Sequence, residues 1–162
     1  MANSILVPTD FSDQSLEAVK LARSLALENN ASITLLYVVD NFPVIGYPMP
    51  MEYNNEKLYA DALETARMDL SLLVSNKFPG SSELHCAVAI GTPDEEIIRY
   101  AGNHHCDTIV IATHGRTGLR HLLLGSVAER VLRKSPIQVL CVKTALNEEV
   151  SSEGALSHAE NA

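Results

Sequence analysis

A chain of 162 residues can bury one sizeable core, and its 46% hydrophobic and 20% charged residues are ordinary for a soluble globular domain. Twenty acids against twelve bases give a net charge of −8; four acids (Glu148, Glu149, Glu153 and Glu160) follow Lys143, where no Lys or Arg remains, so the body carries about −4. Neither part has the basic face of a nucleic-acid or membrane-surface binder, no apolar run approaches a membrane span, and no signal-peptide pattern precedes the first strand; a cytoplasmic protein without nucleic acid or membrane insertion is expected.

In chain order, Ser4-Ile5-Leu6-Val7 is a short apolar strand that ends at Pro8-Thr9-Asp10. Ser12 is placed to cap a helix whose positions Leu16, Val19, Ala22 or Arg23, and Ala26 recur near the helical period. Asp10 then lies at the C-terminal edge of a sheet, where α/β folds bind ligands, although a cap or turn residue would have the same pattern. Asn29-Asn30 ends this helix, and Ser32 to Asp40, β-branched and nearly all apolar, reads as a central strand.

From 41 to 54 the sequence holds the pair Met49 and Met51 together with Pro43, Gly46, Pro48 and Pro50, and the three prolines and the glycine forbid regular structure; a simple insertion is the plainer reading and a lid the sharper one. Leu58, Ala62, Ala66, Leu70 and Leu73 mark a long second helix that stops near Lys77-Phe78-Pro79-Gly80. Glu83 to Ile90 is a third strand. Gly91-Thr92-Pro93-Asp94-Glu95 then predicts a helix start, with Thr92 as N-cap, Pro93 in the first position and Glu95 closing a capping box, so its acids read as structural.

Three cysteines, odd in number and widely spaced, are no disulfide framework; Cys86 and Cys141, inside strand-like runs, are expected to be reduced core residues. His104-His105-Cys106 invites a metal, but adjacent residues point different ways and no second cluster lies nearby in sequence. No metal ligands and no catalytic residues are assigned.

The most informative stretch runs from Asp107 to Ser126. Thr108-Ile109-Val110-Ile111-Ala112 lacks alternation, as suits a strand buried on both faces of a parallel sheet. It gives way to Thr113-His114-Gly115-Arg116-Thr117-Gly118, then to Leu122-Leu123-Leu124, Gly125-Ser126 and a helical pattern from Val127. A strand that feeds a glycine-containing loop and then a helix N-terminus can form an anion site, most often for phosphate: glycine lets amides approach, and the first helical N–H groups are unpaired at the positive end of the dipole. Ser126 adds a hydroxyl and Arg116 a charge. The plainer reading is a turn followed by a helix start. After Ser135-Pro136, Ile137 to Val142 is a fifth strand, and residues 145–162 read as a disordered acidic tail beyond a domain at 1–144.

Gly115, nine residues, then Gly125-Ser126 resemble the nucleotide loop of the universal stress protein family, written Gly-2X-Gly-9X-Gly-Ser/Thr, and Pro8-Thr9-Asp10-Phe11-Ser12 resembles that family's N-terminal signature. The first motif glycine is here Ala112, whose methyl would crowd the ribose side of a ligand. The resemblance covers nearly all of Ser4 to Lys143. It implies a single-domain, three-layer α/β open sandwich, flavodoxin- or Rossmann-like, with a five-stranded parallel sheet of order 3-2-1-4-5. It further implies ATP, or ADP or AMP, held by Pro8, Thr9, Asp10, Val38 and Ala112 at the nucleoside end. Gly115, Arg116, Gly125, Ser126 and the Val127 backbone would hold the phosphates, with Mg²⁺ bridging their oxygens. It implies, last, a homodimer paired through Ile137 to Val142, which would cover an apolar edge.

The leading expectation is therefore a nucleotide-dependent regulatory module of the stress response. The rivals are a slow ATPase, for which no P-loop lysine, nucleophile elbow or base is present (His114 aside), and a dimeric interaction module that has lost its nucleotide. A dinucleotide enzyme would need G-x-G-x-x-G where Pro8-Thr9-Asp10 stands, a receiver domain an Asp where Ile90-Gly91 stands, and a KH loop a basic surface.

Overall fold

The computed structural model describes residues 4–40, 55–113 and 124–143. The 41–54 stretch, His114, Gly115, Arg116 and the 145–162 tail lie outside the described residues, and so do the expectations attached to them.

Among the described residues nine elements alternate: β1 (Ser4–Thr9), α1 (Asp13–Asn29), β2 (Ser32–Asp40), α2 (Asn55–Lys77), β3 (Leu84–Gly91), α3 (Pro93–Asn103), β4 (Thr108–Ala112), α4 (Ser126–Lys134) and β5 (Gln138–Val142). The strands form one parallel sheet of order β3-β2-β1-β4-β5, as the resemblance implied. Strand side chains alternate between faces, so β1 feeds both halves of the core. Ile5 and Val7 pack with Leu16, Val19 and Ala22 of α1 and Leu70 of α2; Leu6 packs with Ile97 of α3 and Ala128 and Val131 of α4. Leu6, Leu35, Leu36 and Ile109 are fully buried, each worth about 1.5–3 kcal/mol of transfer free energy.

Local chemistry sets the ends of the helices. Ser12 has an extended backbone and its Oγ accepts from the Ser15 amide at 3.2 Å, the N-cap expected for α1. Asn30 closes that helix in the left-handed region, at φ 53°. The start of α3 corrects the expectation. Thr92 occupies the N-cap position with extended backbone, but its hydroxyl makes no capping hydrogen bond, so the box with Glu95 is not closed. Pro93, whose fixed φ suits the first helical position, and three acids in the first turn favour the start instead.

The cysteines are a second correction. Cys86 is exposed and Cys141 only half-buried, because β3 and β5 are the two edges of the sheet; the buried cysteine is Cys106, whose Sγ lies 3.7 Å from Ser4 Oγ. Burial raises the pKa of the Cys106 thiol.

Candidate functional site

The ladders around β1 end at different heights, and this opens a crevice. On one side, β1 pairs with β2 as far as Thr9↔Tyr37, while β2 continues against β3 to Asp40↔Gly91. On the other side, β1 pairs with β4 only at Ile5↔Thr108 and Leu6↔Ile109, although β4 runs on beside β5 to Ala112↔Val142. Pro8, which has no N–H to give to either neighbour, sits beyond the point where β1 and β4 part. This is the topological switch point of the sheet, where strand order reverses.

A cavity of about 360 Å³ fills that gap. Pro8, Thr9, Asp10, Val38, Ala112, Gly125, Ser126 and Val127, the predicted site residues within the described chain, all line it. Gly115 and Arg116 lie outside the described residues. Val38 lies on the stretch of β2 past the end of β1, so the β2 edge there opens to the cavity rather than to another strand. Ala112 is 8% exposed at the end of β4. Leu36, Ile97 and Ile111 supply an apolar wall.

The turn after β1 is held by a chain of hydroxyls. The Phe11 amide donates to Thr9 Oγ1 at 3.1 Å, Thr9 Oγ1 and Ser15 Oγ are 2.8 Å apart, and Ser15 Oγ donates to the Ser12 carbonyl at 2.8 Å. Asp10 Oδ1 accepts from the Ser12 amide at 3.1 Å and from Ser12 Oγ at 2.5 Å. These bonds hold Phe11 at φ 66°, a left-handed conformation that costs a non-glycine residue about 1 kcal/mol or more. Its ring packs on Tyr37, with centroids 4.6 Å apart. The result is a rigid turn with Asp10 on the rim of the cavity.

At the opposite end, the Thr113 amide donates to the Val142 carbonyl at 2.9 Å, and the Gly125 amide donates to the Thr113 carbonyl at 2.5 Å. Thr113 and Gly125 are therefore tied together at the tip of β4. Gly125 is the N-cap of α4, with φ −71°, ψ 154° and no side chain to cap with, and the first intrahelical bond runs from Glu129 to the Gly125 carbonyl at 2.9 Å. Since the Gly125 amide is engaged, the first-turn donors of α4 that have no partner among the described residues are the amides of Ser126, Val127 and Ala128, and all three residues line the cavity. They carry the positive end of the α4 dipole.

Behind these walls, α3 and α4 are joined through a buried acid. Asp94, 1% exposed, accepts from Lys134 Nζ at 2.9 Å through Oδ2. Its Oδ1 lies 3.0 Å from Arg130 Nε, close enough for charge attraction but off the angle of a hydrogen bond. Burial pushes the carboxyl up; the Lys134 hydrogen bond and the Arg130 charge outweigh it, and the pKa ends below its ordinary value. In contrast, the His104 ring stacks on Tyr100 at 3.8 Å with Nδ1 2.9 Å from the Tyr100 carbonyl, so it is committed locally at the far end of α3.

Residues 1–143 match the model of the universal stress protein family. The chain belongs to that family. It is 38% identical over 144 residues to universal stress protein MJ0531 of Methanocaldococcus jannaschii, covering 89% of this chain and 84% of that one. The solved structure of MJ0577 from the same organism superposes with a TM-score of 0.72 at 29% identity, covering 88% of this chain and 96% of that one. A universal stress protein from Archaeoglobus fulgidus, solved in complex with dAMP, shares the fold at 21% identity and a TM-score of 0.58, covering 85% and 95%.

Sequence reasoning did not find every wall of this universal stress protein's cavity. Ser15, Asp40 and Pro93 also line it. Asp40 is two residues past Val38 and so on the same strand face, a signal that was available in the strand period. Ser15 and Pro93 were visible only as helix-start chemistry.

Proposed function

We propose that this universal stress protein binds an adenine nucleotide, with ATP as the intended ligand, in the crevice between β1 and β4. The observation that carries the reading is the uncapped N-terminus of α4, whose Ser126, Val127 and Ala128 amides meet an apolar slot closed at its other end by Asp10 and the open edge of β2. Amides at a helix start favour phosphate. A slot between hydrophobic walls favours a flat base, and a carboxylate on the rim accepts from sugar hydroxyls. The dAMP complex of the Archaeoglobus relative supports a nucleotide of this class. Mg²⁺ would enter on the phosphate oxygens, and Gly115 and Arg116 are proposed to complete the phosphate end. Binding would stabilise the loop and a homodimer paired along Ile137 to Val142, coupling nucleotide level to partner choice in the stress response.

Ser126→Pro tests this reading with little risk to the fold. Proline is favoured at the first helical position, and Gly125, at φ −71° and ψ 154°, already has the conformation that a residue before proline needs. The variant loses one amide and one hydroxyl donor. In calorimetric titration it should bind Mg-ATP roughly tenfold or more weakly, the loss expected for hydrogen bonds to a charged group, while adenosine affinity and Tm stay nearly constant. No binding of ATP or adenosine by the unaltered protein would refute the reading.

A further inference from the structure

Asp94 is placed to control the phosphate end of the cavity without touching it. Helix α4 spans nine residues, a rod of about 13 Å. Its buried side chains, Ala128 and Val131, lie on one face, a turn apart. Half-buried Val127 packs against the same cluster, and beyond Val131 the rod has no buried apolar anchor, Leu132 being exposed. Arg130 and Lys134, four residues apart and so one turn apart along the helix, add a polar hold to the apolar packing of α4 on Ile97 and Ala101 of α3: both reach Asp94 at the start of α3. The next residue back, Pro93, lines the cavity, as does the start of α4 at Ser126 to Ala128. An acid in the first turn of α3 would favour that helix's dipole from solvent equally well. Burying the carboxylate to 1% exposure costs solvation, and pairing it with two cations from the neighbouring helix is what offsets that cost.

We propose that Asp94 is a positioning residue: by holding Arg130 and Lys134 it sets the tilt of α4, and with it the direction in which the Ser126, Val127 and Ala128 amides face a bound phosphate. The inference rests on the nucleotide reading above for its ligand, but its geometry can be measured without one.

The experiment compares the unaltered protein with Asp94→Asn, Lys134→Met and the double variant. Affinity is titrated for Mg-ATP and for adenosine at a temperature well below every Tm, and amide hydrogen exchange is followed without nucleotide. Asp94→Asn should weaken ATP binding by roughly fivefold and leave adenosine unchanged, and the double variant should be no worse than Asp94→Asn alone. Exchange should quicken at the hydrogen-bonded amides of α4, from Glu129 onward, and not in α1. A structural role alone would lower Tm and leave the ratio of ATP to adenosine affinity where it was; that result, with unchanged exchange from Glu129 onward in α4, overturns the proposal. If the unaltered protein binds no nucleotide, the nucleotide reading fails on its own, and faster α4 exchange in Asp94→Asn still decides the geometric part. Should Asp94→Asn fold poorly, Lys134→Met, which changes an exposed cation, must show the same local exchange or the proposal falls.

Discussion

Among the described residues, Asp94 is the only charged side chain that is buried, and its titration makes a prediction about acid stability. Its folded pKa lies below the ordinary value of 3.8, burial being outweighed by Lys134 and Arg130. A depressed carboxyl contributes stability that is fully present above the unfolded pKa and lost as the pH falls through the folded one. Asp94→Asn should therefore unfold about 1–3 kcal/mol more easily in urea at neutral pH, since its partners are half-exposed and can return to water. The gap between the two proteins should persist down to about pH 4 and close below it. A gap already closed at pH 6 would mean that the pairing contributes nothing to the fold. Cys86 shows the opposite limit of residue-scale reasoning: its strand-like neighbours marked it for the core, and only its place on an edge strand exposes it.

At the scale of elements, the joint between β3 and α3 sets where Pro93 and Asp94 stand. Gly91 ends β3 at φ 149°, a region that side chains rarely adopt, and a Cβ there would meet Glu96 Cγ at 2.7 Å. Gly91→Ala is expected to cost about 1–3 kcal/mol and to lower the thermal midpoint without removing any polar contact of the cavity. An unchanged midpoint would mean that this joint relaxes freely. The glycine was legible in the sequence as a turn before a helix, and Ser12 was legible as a cap. The failure at Thr92 is instructive. The capping box was inferred from residue types at the right spacing, yet acids near the dipole and a proline with its φ preset can start a helix without it.

For the whole molecule, the sheet leaves β3 and β5 as edges, and β5 carries half-buried Val139, Leu140, Cys141 and Val142. An apolar edge with unpaired backbone groups is a template for pairing, and the proposed dimer uses it. Light scattering on the purified chain should return twice the 17.6 kDa subunit mass at micromolar concentration, and a steady 17.6 kDa would remove the dimer from the functional reading. Among the described residues, no helix is long and apolar enough to cross a membrane.

Two parts of the cavity lining were readable because they are local. A strand that ends in Pro8-Thr9-Asp10, and a glycine ahead of the helix at Ser126, declare their chemistry within a few residues. Hydrophobic period likewise separated strands from helices, since burial on one or two faces leaves its mark on the chain itself. What only the tertiary structure decided depends on elements far apart in sequence. The unequal lengths of the β1 ladders open the crevice, and edge position exposes Cys86. The Gly125 amide goes to the Thr113 carbonyl, which sets the start of α4, Ser126 to Ala128, against the cavity. Asp94 finds its cations 36 and 40 residues away, on a helix that reaches it only because α3 and α4 pack on the same face of the sheet. Spacing along a chain encodes local bonds; partners set by the order of strands do not exist until the sheet is assembled.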